Sequence, residues 1–216
     1  MKKSELVCGA DALRIYRLAL GPFGTNAYIL ICAETGASVV VDAPGEAAAL
    51  MEQLKNTRPQ MILLTHGHID HIGALAALKS GLTVPVAAHP ADSAALPVKP
   101  DNLLADGDRL PCGKLVIRVL HTPGHTAGSL CFQVGRCLLA GDTIFPGGPG
   151  RTGSPDDFAH VVQSITGKLF ALADHTLILP GHGAATTVGK EKELYTAFAA
   201  RPRDPALCGA VTWLGS

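Results

Sequence analysis

A chain of 216 residues with 47% hydrophobic content is long enough to bury a sizeable core, and with no linker-like stretch the expectation is one domain over residues 1–216. Lys plus Arg and Asp plus Glu both number 18, so the net charge is zero and no global field recruits nucleic acid or an anionic membrane. No apolar run approaches the ~20 residues of a membrane span, and Glu5 and Asp11 interrupt any export signal opening at Met1-Lys2-Lys3, which points to a cytoplasmic protein.

Leu13 to Leu18 reads as a strand, Gly21-Pro22-Phe23-Gly24-Thr25-Asn26 as a loop, and Tyr28 to Ile31 as the returning strand. Glu34-Thr35-Gly36 then turns the chain into Ser38 to Asp42, where Asp42 is placed to cap the next helix or to support a neighbouring loop. Glu46 to Asn56 carries Ala47, Leu50, Met51 and Leu54 at helical spacing. The apolar run Met61-Ile62-Leu63-Leu64 predicts a short buried strand, and it runs straight into Thr65-His66-Gly67-His68-Ile69-Asp70-His71-Ile72-Gly73. That stretch packs three imidazoles and a carboxylate into six residues on a loop turned by Gly67. Imidazole mixed with carboxylate suits zinc, iron or manganese and argues against an all-thiolate structural site, so the pattern points to a catalytic metal.

Downstream, Ile72 to Ser80 predicts a short helix closed by Gly81, followed by a strand over Val84 to His89 and one helical turn over Ala91 to Ala95. Lys114 to Leu120 alternates as a strand, and Leu130 to Val134 with Cys137 to Ala140 forms a hairpin across Gly135-Arg136 that delivers Asp142 at a strand end. Pro155 to Ala171 reads as a helix, Leu177 to Leu179 as the last strand, presenting His182, and Val188 to Ala199 as a terminal helix. Six cysteines lack any Cys-x-x-Cys pair and read as reduced thiols, with Cys32, Cys131 and Cys137 buried in apolar runs and Cys8, near an end, exposed. His89, His160 and His175 lie outside every ligand pattern.

The spacing His-x-His-x-Asp-His resembles the signature of the metallo-β-lactamase superfamily, and three further words follow in that family's order. They are His121-Thr122-Pro123-Gly124-His125-Thr126, Ala140-Gly141-Asp142-Thr143 and Leu179-Pro180-Gly181-His182-Gly183, so the resemblance spans nearly the whole chain. The choice of His125 over His121 rests on the resemblance, because the family's ligand follows Pro-Gly. The flanking words are most similar to those of the glyoxalase II type of small hydrolases. The resemblance implies an α/β, four-layered αβ/βα sandwich with its metal site at one edge between two sheets. It implies one metal on His66, His68 and His125, a second on Asp70, His71 and His182, and Asp142 bridging them. Two divalent ions, zinc foremost with iron or manganese as alternatives, would share a water and supply it as hydroxide to an electrophilic carbon. Asp70, the one acid inside the His-rich loop, is the candidate to orient that nucleophile. An aspartate placed like Asp42 commonly supports the active-site loops in this family.

A thiolate, with a conjugate acid near ~8.5, leaves without strong protonation, whereas an amide nitrogen needs an acid, and no extra acid is evident here. The expected activity is therefore hydrolysis of a small thioester, with a small-molecule substrate and neither nucleic acid nor membrane as partner. Gly150-Arg151-Thr152 resembles the Gly-Arg-Thr word of the glyoxalase II group, although Gly153-Ser154-Pro155 replaces the acidic and aromatic residues that usually follow. Arg151 is a candidate to bind a substrate carboxylate, or else it pins the loop from Gly147 to Gly153. Only 34 residues (216 minus 182) follow His182, so the match is to the single-domain glyoxalase II-like hydrolases rather than to those with an added glutathione-binding helical domain. The rival in another reaction class is a persulfide dioxygenase on the same scaffold, holding one iron at positions equivalent to His66, His125 and Asp142.

Overall fold

A computed structural model describes residues 4–10 and 12–215. Met1-Lys2-Lys3 and Asp11, which bear on the export signal, lie outside the described residues. The first sheet follows sequence order: β1 (Glu5–Ala10), β2 (Leu13–Leu20), β3 (Thr25–Cys32), β4 (Ala37–Val41), β5 (Arg58–Leu63), β6 (Val86–Ala88) and β7 (Asn102–Leu103). Its first four strands are antiparallel, and β4 through β7 are parallel, with α1 (Ala47–Leu54) crossing from β4 to β5 and α3 (Leu75–Leu82) from β5 to β6. The second half contains β8 (Arg109–Cys112), β9 (Leu115–His121), β10 (Leu130–Val134), β11 (Cys137–Gly141), the small ribbon β12 (Ile144–Phe145) and β13 (Gly148–Pro149), then β14 (Leu177–Pro180) and β15 (Thr186–Thr187). Its sheet runs β15-β14-β11-β10-β9-β8, with β11 and β14 parallel.

Side-chain alternation explains the layering. In β4, Val39 and Val41 face inward to meet Ile117, Phe132 and Leu139 of the second sheet, while Val40 faces outward beneath Leu50 of α1 and Leu75 of α3. A strand covered on both faces has no polar side to show, which is why β4 is buried throughout. On the far face of the second sheet, Leu120, Cys131, Leu138 and Ile178 pack against Phe158 and Val161 of α4 (Pro155–Ser164), Val188 and Phe198 of α5 (Val188–Ala199), and Trp213. The order is helix, sheet, sheet, helix, as the resemblance implies. Each fully buried Leu, Ile, Val or Phe contributes about 1.5–3 kcal/mol to holding these layers together. Among the described residues no helix is long and apolar enough to cross a membrane.

Several local expectations are corrected. Thr25 and Asn26 belong to β3, paired with Leu20 and Ala19, so the connecting loop shrinks to Gly21 through Gly24. The helix expected over Ile72 to Ser80 is two helices, α2 (Ile69–Ile72) and α3, and α2 lifts Asp70 and His71 out of the loop onto a helical turn. The break arises because the backbone between them pairs with the end of β4: Ala43 N–H donates to His71 O and Ala74 N–H to Ala43 O, both at 2.8 Å. Gly81 does not close α3; it lies inside the helix, where an added Cβ would stand 2.6 Å from the Met51 sulfur of α1, and Thr83 makes the left-handed exit instead. The helix from Pro155 stops at Ser164 and continues as a π-turn over Ile165–Leu169, so it does not reach Ala171 as expected.

Cys8 is also corrected. It lies on β1, a strand without a clear alternation signal, and a bulge between Leu6 and Cys8 sets Cys8 opposite Ile15, facing the inter-sheet core. It is 3% exposed, its Sγ 2.6 Å from Cys137 Sγ, and the exposed thiol is Cys208. Burial pushes the Cys112 and Cys131 thiols up to about 11 and Cys137 up to about 12. Because the other five thiols are buried, native, reduced protein should show one fast-reacting thiol per chain to an aromatic disulfide reagent. Cys208→Ser should abolish that phase, and persistence of a fast phase in the variant would show that one of the buried thiols is open to solvent.

Candidate metal centre

The C-terminal ends of β5, β11 and β14 lie at one rim, and the turn after each carries polar residues. His66 and His68 follow β5, Asp142 follows β11, His182 follows β14, and the β9–β10 loop adds His125 from the side. All seven residues singled out in the sequence meet there. Three groups have ligand atoms within 4.8 Å of one another: His66 with His68 and His125, His66 with His71 and Asp142, and Asp70 with His71 and His182. His68 Nδ1 sits 3.1 Å from His66 Nε2 and 2.9 Å from His125 Nε2. Nitrogens bound to one tetrahedral ion at ~2.05 Å are about 3.3 Å apart, so these three already converge on a metal-sized space.

Outer partners fix which nitrogen faces inward. His125 Nδ1–H donates to Arg151 O at 2.8 Å, and His71 Nδ1–H donates to Asp42 Oδ2 at 2.8 Å. Thr65 Oγ1 gives its proton to Asp42 Oδ2 at 2.7 Å and therefore accepts from His66 Nδ1–H at 3.0 Å. In all three histidines Nε2 is left free toward the centre, the arrangement that outer hydrogen bonds impose on metal-binding imidazoles. Asp42 is the residue that both readings of the sequence concerned. It supports the loops and caps nothing, since α1 has Glu46 at its N-terminus without a side-chain cap. Its φ of 63° is a left-handed strain for a non-glycine residue, held by bonds to Thr65 and His71.

Burial and the neighbouring imidazoles hold His66 well below the ordinary histidine range, and burial lowers His125 likewise. For His71 burial opposes charge, but the Asp42 and Asp142 carboxylates outweigh it and raise the ring to about 10. Asp142 is lowered despite its burial, because His71, His125 and His182 surround it. The site thus rejects protons at His66 and His125 and draws one to His71, between the Asp42 and Asp142 carboxylates. Two buried atoms here, His71 Nε2 and Asp142 Oδ1, have no hydrogen-bond partner although they face each other at 3.3 Å. A buried imidazole nitrogen and carboxylate oxygen that face each other without a formed hydrogen bond, in an otherwise satisfied interior, leave a place for a cation between them. Gly181 lines the same space: a Cβ there would stand 2.1 Å from Asp142 Oδ1 and 2.6 Å from His71 Cε1. The residues fit a metal.

Beside the rings lies a cavity of about 410 Å³, lined by His68, His125, Arg151, Thr152 and Gly153. Arg151 is exposed, and among the described residues its guanidinium makes no hydrogen bond or ion pair; its backbone carbonyl, not its side chain, does the pinning. His121 stands apart from the metal groups, stacked on His89 at 3.9 Å and donating from Nε2 to Ala127 O. Thr25, placed in a loop by the sequence pattern, sends its hydroxyl to Asp70 Oδ2 at 3.2 Å, a contact with no short-range signal.

The family model described as the metallo-beta-lactamase superfamily matches residues 20–196. The chain belongs to that superfamily. Among metallo-β-lactamase relatives, the hydroxyacylglutathione hydrolase GloC of Haemophilus influenzae is 33% identical over 178 residues, covering 72% of this chain and 84% of its own. ETHE1 from Myxococcus xanthus has a TM-score of 0.72 at 28% identity, over 82% of this chain and 81% of its own. TTHA1623, solved in a di-iron-bound form, has a TM-score of 0.70 at 34% identity, over 82% of this chain and 96% of its own. Membership in this superfamily makes the chain a metallo-hydrolase by class, with His/Asp clusters of the kind that hold divalent metals.

Proposed function

We propose that the chain is a dinuclear metal hydrolase that cleaves a small thioester in the manner of glyoxalase II. The observation that carries this reading is the position of Asp142. Its Oδ1 lies 3.3 Å from His71 Nε2, and its Oδ2 lies 3.6 Å from both His125 Nε2 and His182 Nε2, so one carboxylate faces both histidine groups. A mononuclear iron dioxygenase on this scaffold would use three of the seven side chains. The groups found here together take in all seven, which favours the two-ion reading. The likeness to GloC, a hydroxyacylglutathione hydrolase, agrees with the thioester reading.

His66, His68 and His125 would hold one ion and Asp70, His71 and His182 the other, zinc being the expected metal, with iron a second choice that the di-iron form of TTHA1623 supports. Divalent ions bound there supply a Lewis acid for the carbonyl oxygen and a water acidic enough to act as nucleophile at neutral pH. Asp70, steadied by the Thr25 hydroxyl and 3.1 Å from His182 Nε2, orients the attacking water and takes up its proton. Arg151 lines the cavity, and its unpaired guanidinium suits a carboxylate or other anionic group on the substrate through its two-pronged donors. Apart from the ligands, no acid lines that cavity. A leaving thiolate needs none, whereas an amide nitrogen does.

The test separates reaction classes. Zinc-loaded protein should hydrolyse a thioester anaerobically, and should cleave the amide with the same acyl group far more slowly. An oxygen electrode with glutathione persulfide, run on iron-loaded and zinc-loaded protein, should show no uptake. Rapid oxygen uptake confined to the iron form, without thioester turnover by either, would replace the hydrolase with the dioxygenase.

A further inference from the structure

We infer that Asp92, a residue in none of the metal groups, is the positioning residue that assembles the three-histidine half of the centre; this rests on the two-ion reading above. Asp92 lies on the 3-10 turn Pro90–Ala95 that follows β6 and is 8% exposed. Its Oδ2 accepts from Gly67 N–H at 2.9 Å and from the Thr126 hydroxyl at 2.8 Å, and its Oδ1 accepts from Gly128 N–H at 2.8 Å. Gly67 stands between His66 and His68, and Thr126 follows His125. One carboxylate therefore ties together the two loops, from opposite sheets, that carry all three histidines.

The glycines make this contact possible. A Cβ on Gly128 would stand 2.5 Å from the Asp92 carboxyl carbon, and one on Gly67 would press on Asp92 O at 3.3 Å and on its Cβ at 3.4 Å. Any side chain at Gly128 would push the carboxylate off its amide. Asp42 cannot replace the clamp. It holds His71 directly and His66 through Thr65, and its bonds reach neither His68 nor His125. Of the two buried carboxylates behind the centre, Asp92 is the one that accepts from both the β5 loop and the β9–β10 loop.

The consequence is selective. In Asp92→Asn the amide keeps one acceptor oxygen and turns an N–H₂ toward either Gly67 N–H or Gly128 N–H, so one of these two backbone amides loses its acceptor and the clamp loosens. Affinity at the three-histidine site should fall by about 10–100-fold, as for other outer partners of metal ligands, while the Asp70, His71 and His182 site keeps its affinity. Metal-free full-length protein titrated with cobalt(II), read by visible absorption against a competing chelator, resolves the two sites. Wild type should take up two equivalents tightly, and Asp92→Asn one tightly and one weakly. Thr126→Val, which removes the hydroxyl's bonds to Asp92 and Ser129 without touching a charge and leaves both backbone amides on Asp92, should show a smaller loss at the same site and serves if the Asn variant does not fold. Equal weakening of both ions, or of neither, in a folded variant overturns the inference, since a general loosening would not choose between sites. Uptake of one ion by wild type would overturn the two-ion reading together with the selectivity inferred from it.

Discussion

Asp142→Ala should lose most of its metal and its activity together. The carboxylate it removes faces His71 through one oxygen and His125 and His182 through the other, so on the two-ion reading both sites lose a ligand at once. Loss of a partner one step removed costs about 10–100-fold in affinity, and a shared direct ligand should exceed that. His71 is left with Asp42 as its remaining close carboxylate partner apart from Asp70 at 3.7 Å. Metal content by elemental analysis and thioester kcat/KM should fall in parallel, while Cys131→Ala, fully buried on the second sheet, should show only a packing loss. Full metal occupancy in Asp142→Ala would contradict the bridge.

Gly181→Ala should damage the centre almost as much, though it adds one methyl group and removes no ligand. The new carbon would be placed 2.1 Å from Asp142 Oδ1 and 2.6 Å from His71 Cε1, distances that no Cβ tolerates. The backbone cannot yield, because Gly181 N–H donates to Gly141 O at 2.8 Å and Gly181 O accepts from Asn26 N–H at 2.7 Å, fastening it to both sheets. Asp142 must move instead, and a displacement near 1 Å can cost about 100-fold in rate. Circular dichroism should remain native while kcat/KM drops by that order. Wild-type activity in Gly181→Ala would mean that Asp142 has freedom the packing denies it.

The fold was legible where side-chain period and punctuation agree. Met61 to Leu64 and the hairpin across Gly135-Arg136 carry their geometry in local pattern, and the words around His125, Asp142 and His182 announce the site. What stayed hidden depends on contacts far apart in the chain. Nothing near Ile72 indicates that Ala74 will pair with Ala43, so the split into α2 and α3 could not be read. Cys8 looked terminal and exposed because a one-residue bulge, which reverses the face a strand presents, leaves no compositional trace. Asp92 lacked any recognisable word, since its three donors come from residues 25, 34 and 36 positions away.

The division of the ligands between two sheets also sets an order of events in folding. His66, His68, Asp70 and His71 come from one sheet's loops, and His125, Asp142 and His182 from the other's, with 116 positions (182 minus 66) between the first and the last. Closing so long a loop is costly in chain entropy, and among the described residues no group of three ligands from a single sheet exists to begin it. The apolar layer between the sheets has to bring the halves together first, with Val39, Val41, Phe132 and Leu139 meeting before the imidazoles do. On the two-ion reading, metal capture would then be the closing step of folding, the one that turns the newly made chain from a stable shape into a catalyst.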